Sequence, residues 1–268
     1  MIEHYRIHEV SGYINWIYFF HAWGFQPRDM QSPEATQLLK EAEQMLSLLN
    51  EKFQTHAIFK LAEANSEEND VWIENTRFPF LRQQTAKERK PYLSLSDFIR
   101  PKSQGIKDRI GLFATTVDAE MEQLYQEDHY QHLLVKTLAD RLAEATAEKL
   151  HEAIRKTIWG YAPDEQLTME QLHNEEFQGI RPAVGYPSLP DQSVNFLLDE
   201  ILDMQQIGIQ LTENGMMQPH ASVSGLMFAH PASRYFSIGK IDEEQLQDYA
   251  SRRKLPITLM RKFLAANL

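Results

Sequence analysis

Gly179-Ile180-Arg181-Pro182-Ala183-Val184-Gly185-Tyr186-Pro187-Ser188-Leu189-Pro190-Asp191-Gln192 is the most specific stretch of this 268-residue chain. Its three prolines fix backbone angles and remove amide donors. Gly185 permits positive φ or close approach, and Arg181 offers a planar fork for a carboxylate. A stiff loop with one guanidinium and free backbone amides suits a small-molecule cradle. Read from its residues alone, it equally suits a rigid crossover that packs Tyr186 into the core.

On the N-terminal side of this loop, the spacing predicts a long helix starting at Asp118 or Asp128, running to Trp159 and ended by Gly160. Leu134, Leu138, Leu142, Ala145, Leu150, Ile154 and Ile158 form its apolar stripe. Asp140, Arg141, Glu144, Glu148, His151 and Arg155 are linked from turn to turn by steps of three or four and so lie side by side. By spacing alone that row reads as the solvated side of an amphipathic helix. Further upstream, Ser32 as N-cap, Pro33 at the first helical position and Glu34 open a helix to about Phe53. Ala57 to Leu61, Asp70 to Glu74 and Ile110 to Ala114 read as strands.

Downstream of the long helix, a short helix is expected from Thr168. After the loop come a helix from Ser193 to Gln206 closed by Gly208, strand-like runs at Ile209–Leu211, Ser222–Phe228 and Tyr235–Ile238, and helices from Asp242 and near Pro256. Strands and helices intermingle without strict alternation, which favours α+β with a mainly antiparallel sheet over a parallel one. No repeat or linker divides the chain, so one continuous domain over 1–268 is expected. A chain of this length buries roughly 75% of its unfolded surface, enough for a core without staples.

Composition removes whole classes of chemistry. There is no cysteine, which excludes disulfides, thiolate nucleophiles, iron–sulfur clusters and thiolate zinc sites. Lys and Arg number 27 against 38 Asp and Glu, a net charge of -11 with no basic face, so nucleic acid is not an expected partner. The apolar run from Tyr13 to Phe25 contains Asn15 and His21 and is too short to cross a bilayer, which takes about 20 residues. With no signal-peptide pattern either, a soluble, cytoplasmic protein without membrane contact is expected.

The eleven glycines form neither a G-x-G-x-x-G turn nor a P-loop. No G-x-S-x-G or H-E-x-x-H motif occurs. His129 and His132 stand close enough to share a metal, but no third ligand accompanies them, so no metal is assigned. Tyr13, Trp16, Tyr18, Phe19, Phe20, Trp23 and Phe25 form an aromatic cluster that serves either core packing or ligand stacking.

Several ordered blocks resemble one family. They are Tyr13-Ile-Asn-Trp16, Phe19-Phe20, Leu81-Arg-Gln-Gln-Thr85, Leu138-Ala-Asp-Arg-Leu-Ala-Glu-Ala145, Leu150-His-Glu-Ala-Ile-Arg-Lys156, Trp159-Gly-Tyr-Ala-Pro163, the Arg181 loop, Leu211-Thr-Glu213, Ser222-Val-Ser-Gly225 and His230-Pro231. Together they resemble the activation domain of cobalamin-dependent methionine synthase from about residue 10 to the end.

The resemblance implies a C-shaped α+β domain with a twisted, mainly antiparallel sheet that binds S-adenosylmethionine. Such a domain docks over a cobalamin module whose cobalt has been oxidised to inactive cob(II)alamin. An electron from flavodoxin or a similar reductase, and a methyl group from S-adenosylmethionine, then restore methylcobalamin. The domain's part is placement rather than acid–base catalysis, so no catalytic residue is assigned. By the same resemblance, Arg181, Ala183, Gly185 and Tyr186 match the family's ligand loop, Glu144 and Glu175 its carboxylates, and Tyr235 and Phe236 its paired aromatics. Arg181 is expected to pair the ligand carboxylate and Glu144 its ammonium.

Two positions depart from the family pattern. Asn15 stands where the family usually has Asp, which is expected to weaken binding of a cation by about 1 to 2 kcal/mol. Leu189-Pro190-Asp191-Gln192 stands where Cys-Pro-Asp/Glu-His is common, which alters the part of the loop that meets the cobalamin module. Neither a cobalamin-binding signature nor a homocysteine zinc site is found. The leading expectation is therefore an accessory chain, not a complete methyltransferase, that reactivates a separate cobalamin-bearing synthase. The alternatives are a docking protein of the same fold that has lost productive S-adenosylmethionine use, and an activator of another corrinoid methyltransferase.

Overall fold

The computed structural model describes residues 1–85 and 91–268. The first half of the chain runs β1 (Ile2–Arg6), α1 (Ile7–Val10), α2 (Trp16–Ala22), α3 (Pro33–Asn50), β2 (Gln54–Glu67), β3 (Asp70–Ile73), β4 (Thr76–Pro79), β5 (Asp108–Val117) and α4 (His129–Ala153). It continues α5 (Met169–His173), α6 (Val194–Leu202), β6 (Gln210–Leu211), β7 (Met217–Gln218), β8 (Ser222–Met227), α7 (Glu243–Arg253) and α8 (Ile257–Phe263). The main sheet has the order β4-β3-β2-β5-β8, with β1 added to β2, and all its strand pairings are antiparallel. The α+β expectation therefore holds.

The sheet is buried on both faces because β2 and β5 are apolar at both phases of the pleat. They pair in register from Thr55 opposite Val117 to Ala64 opposite Asp108. Ile58, Ala62, Ile110, Leu112 and Ala114 pack with Leu198 and Leu202 of α6. The alternate residues Ala57, Phe59 and Phe113 pack on the other face with Ala143, Ala147 and Leu150 of α4. The N-terminal half of α4 buries Leu134, Leu138 and Leu142 against α1, α2 and α3, including Phe19 and Leu38. A fourth cluster joins α7 and α8 to Leu81 and Ile238.

Local signals set several boundaries as expected. Ser32 Oγ accepts the Ala35 amide at 3.1 Å to start α3 behind Pro33. Asp128 accepts the Tyr130 and Gln131 amides, so α4 starts there, while Asp118 leads into a separate 3-10 turn. Regular α4 ends at Ala153, and a π turn over Ile154–Ile158 carries the chain to Gly160 at φ 73°.

Three expectations need correction. The Ser193–Gln206 helix breaks at Asp203, which adopts φ 54° while Asp199 Oδ1 accepts the Met204 amide at 2.8 Å. Tyr235–Ile238 forms no strand, because the free edge of β8 is already occupied by residues 180–184 and the Ile238 amide donates instead to the Pro187 carbonyl at 2.9 Å. The aromatic run contains α2, and β1 and β4 are strands the periodicity did not single out. Among the described residues no helix is long and apolar enough to cross a membrane.

Candidate functional site

The Pro-rich loop is held as a substitute strand along β8. Ile180 and Phe228 exchange backbone hydrogen bonds at 3.0 and 2.9 Å, the Val184 amide donates to Ser224 at 2.9 Å, and the Leu226 amide donates to Pro182 at 3.1 Å. Gly225 makes this approach possible. A Cβ there would collide with the Pro182 carbonyl oxygen and stand 2.9 Å from Ala183 Cα. Gly185 at φ 88° then turns the chain, its amide donating to Leu189 at 2.8 Å. The far end is clamped by buried Asp191, which accepts from the Ser193 amide and hydroxyl, from Tyr249 Oη at 2.8 Å and from Arg253 Nε at 3.3 Å.

Pinned this way, the loop faces α4 across a cleft of about 530 Å³. Asn15, Glu144, Glu175, Arg181, Ala183, Tyr186, Tyr235 and Phe236 all line it. Gly185, the ninth residue expected at the site, is not among the lining residues and acts through the turn it permits. Tyr13, Tyr18, Arg141, Glu148 and His173 line the cleft as well and were not assigned to it from sequence.

The α4 row thus divides by position. Arg141, Glu144 and Glu148 face the cleft, Asp140 faces His220 at 3.6 Å, and His151 and Arg155 are fully buried. The solvated-face reading fails because the chain after α4 folds back over the row. Glu165 pairs with Arg155 at 2.6 Å, and Phe177 packs on the His151 ring and under the Arg155 guanidinium at 4.3 Å. His151 Nε2 lies 3.3 Å from Tyr161 Oη. Burial, with Arg155 and Arg181 nearby, holds the His151 pKa well below its ordinary value, so the ring is neutral.

Electrostatics in the cleft centre on Arg181. Its guanidinium is almost wholly buried, pairs with Glu148 and lies 5.7 Å from the Phe113 ring centroid. Its Nε and Glu148 Oε2 are buried without partners, so each retains hydrogen-bonding capacity. The Arg181 amide donates to Tyr235 Oη at 2.9 Å, and burial pushes the Tyr235 pKa up to about 12. Tyr186 Oη donates to Glu144 Oε1 at 3.0 Å, and the Glu144 charge together with burial raises the Tyr186 pKa to about 12. Burial and the Glu148 charge also raise the Glu175 pKa.

Asn15 occupies the N-cap of α2, its Oδ1 accepting the Ile17 amide at 3.1 Å. Asn and Asp cap helices about equally, so the departure at this position leaves the local fold intact and removes only charge. Gln192 donates to the Gly215 carbonyl at 3.3 Å and does not line the cleft. Tyr13 of the aromatic run donates to Glu152 at 2.6 Å at the cleft wall, whereas Phe19 and Phe20 are buried in the core. The cluster is therefore divided between the core, with Phe19 and Phe20, and the cleft wall, with Tyr13 and Tyr18. His132 Nδ1 donates to the Leu124 carbonyl at 2.7 Å, a structural tie on the α4 entry.

Comparisons with known proteins bear on this cleft. A family model described as "Vitamin B12 dependent methionine synthase, activation domain" matches residues 6–254. A solved structure described as "Crystal Structure of the MetH Reactivation Domain bound to AdoHcy" is 38% identical, with a TM-score of 0.94. That similarity covers 100% of this chain and 90% of the other.

Proposed function

The chain belongs to the family of vitamin B12 dependent methionine synthase activation domains, and we propose on that footing that its cleft binds S-adenosylmethionine for the reductive remethylation of cobalamin. One observation carries the reading: eight of the nine expected site residues line one cleft, with an excess of carboxylate. Glu144, Glu148 and Glu175 face Arg141 and Arg181, which leaves one formal negative charge over. S-adenosylmethionine has a sulfonium, an ammonium and a carboxylate, hence one formal positive charge. Charge and volume therefore both fit the ligand.

When bound, S-adenosylmethionine supplies an electrophilic methyl group. The chain's residues contribute placement and exclusion of water. Arg181, fixed by Glu148, presents the positive charge that pairs with the ligand carboxylate, and Glu144 takes the ammonium beside Tyr186. Tyr13, Tyr18, Tyr235 and Phe236 supply apolar and aromatic surface for the adenosine portion. Cobalamin comes from the cobalamin-bearing part of the synthase, whether on a separate chain or linked to this one, and the electron from flavodoxin or a similar reductase. Exposed Ile17, Tyr18 and Tyr186 provide an apolar rim for that docking.

Isothermal calorimetry with S-adenosylmethionine tests the reading: binding to the wild type and loss on Arg181→Ala are expected. No binding at millimolar ligand would refute it. Oxidised synthase lacking its own activation domain should regain turnover only when this chain, a reductant and S-adenosylmethionine are all present.

A further inference from the structure

A second constellation lies away from the cleft, where β1 joins β2. His4 and His56 are directly opposed in that antiparallel register, and their Nδ1 atoms approach to 2.7 Å. Two neutral or protonated rings present two lone pairs, one lone pair and one proton, or two protons at that point. The first and last combinations repel, so one Nδ1 donates and the other accepts.

Asp118 decides which. Its Oδ1 lies 2.8 Å from His56 Nε2, and its Oδ2 accepts the Gln54 amide at 2.7 Å. A carboxylate oxygen only accepts, so His56 carries a proton on Nε2, and as a neutral ring it aims a lone pair from Nδ1 toward His4. A carboxylate on one imidazole nitrogen, with the other nitrogen's lone pair directed at a common point, is how proteins orient histidine for metal coordination. The pair borders a concavity of about 320 Å³ that is also lined by Asp118, Glu120 and Gln206.

We propose that His4 and His56 form a two-histidine site for a borderline divalent transition cation such as Zn²⁺ or Ni²⁺, with Asp118 orienting His56. Imidazole nitrogen selects these ions over Mg²⁺ or Ca²⁺. Zinc bonds to nitrogen of about 2.0 to 2.1 Å in a tetrahedral arrangement place the two Nδ1 atoms about 3.4 Å apart. The rings must therefore separate by roughly 0.7 Å on that geometry, a movement available to His4 because it is exposed on an edge strand. The His4 proton moves from Nδ1 to Nε2 as the ion enters, so a neutral pair binds without net proton release. Among the described residues no group of three or more His, Asp or Glu side chains is arranged around one metal position, so water completes the shell.

Calorimetry with Zn²⁺ and with Ni²⁺, against Mg²⁺, tests the site at pH 7.5. One equivalent of either transition ion per chain is expected, with no heat from Mg²⁺. His4→Ala should weaken binding more than tenfold, and Asp118→Asn should weaken it by about tenfold, the lower end for removing an outer partner. Nitrogen-15 spectra of the imidazoles should show coordination at Nδ1 of His4 and His56, out of ten histidines in the chain. Zinc affinity that survives His4→Ala, or coordination seen at His129 and His132 instead, would overturn the proposal. His4→Ala should leave S-adenosylmethionine affinity unchanged, since neither histidine lines the cleft.

Discussion

Gly225→Ala tests how the loop is held. The added methyl group would meet the Pro182 carbonyl oxygen, Ala183 Cα at 2.9 Å and Phe113 Cε1 at 3.0 Å. Two of these neighbours are backbone, so no side-chain rotation relieves the contact. The loop must withdraw from β8, which breaks the 2.9 Å Val184–Ser224 and 3.1 Å Leu226–Pro182 hydrogen bonds. Two backbone bonds lost at about 0.5 to 1.5 kcal/mol each, with about 1 kcal/mol of overpacking against Phe113, give a destabilisation of about 2 to 4 kcal/mol. Urea unfolding followed by tryptophan fluorescence measures it. Hydrogen exchange should show the Val184 and Leu226 amides losing protection first. Gly12→Ala is the control, because nothing lies within 4 Å of its would-be Cβ. A loss under about 1 kcal/mol with Leu226 still protected would refute the account, because the loop would then be shown to tolerate a Cβ at β8.

Three further outcomes are expected. Glu148→Gln should cost about 2 to 3 kcal/mol, below the usual range for an uncompensated buried charge because Glu148 is partly exposed, and a cycle with Arg181→Met should show strong coupling in urea unfolding. Additive losses would mean that the pair does not act as a unit. His151 has a folded pKa below its unfolded value, so the unfolded state takes up the proton first and stability falls as pH drops below about 6.5. From pH 7.5 to 5.5 the wild type should lose stability through this residue, by at most about 1.4 kcal/mol, a component absent from a folded His151→Gln variant. Asn15→Asp should keep the α2 cap and tighten S-adenosylmethionine about 5- to 30-fold while leaving the uncharged-sulfur analogue S-adenosylhomocysteine much less affected in calorimetry, as expected for a gain of 1 to 2 kcal/mol directed at the cation.

Legibility in the sequence followed the range of the interactions. Ser32-Pro33 and Asp128 act on amides within three residues, so the start of α3 was readable and that of α4 was narrowed to two Asp caps, Asp118 and Asp128. The Arg181 loop was conspicuous because its prolines and glycine announce an unusual backbone. Asp203 was not, since a non-glycine residue at φ 54° depends on Asp199 taking the next amide. The row on α4 was misread in part because its environment is non-local. Whether Glu148 meets water or Arg181 depends on a loop arriving from 33 residues away. β1 escaped notice because its residues are largely polar and none of them is fully buried.

The arrangement along β8 has a consequence for association between chains. β8 is the last strand of the sheet, and a bare edge there would carry unpaired amides and carbonyls that another chain can pair with. Residues 180–184 cover that edge with the same segment that walls the cleft. Any change that frees the loop should therefore produce concentration-dependent light scattering as well as weaker ligand binding, and ligands that hold the loop down should suppress both. Solubility and ligand recognition are in this way coupled through a single stretch of backbone.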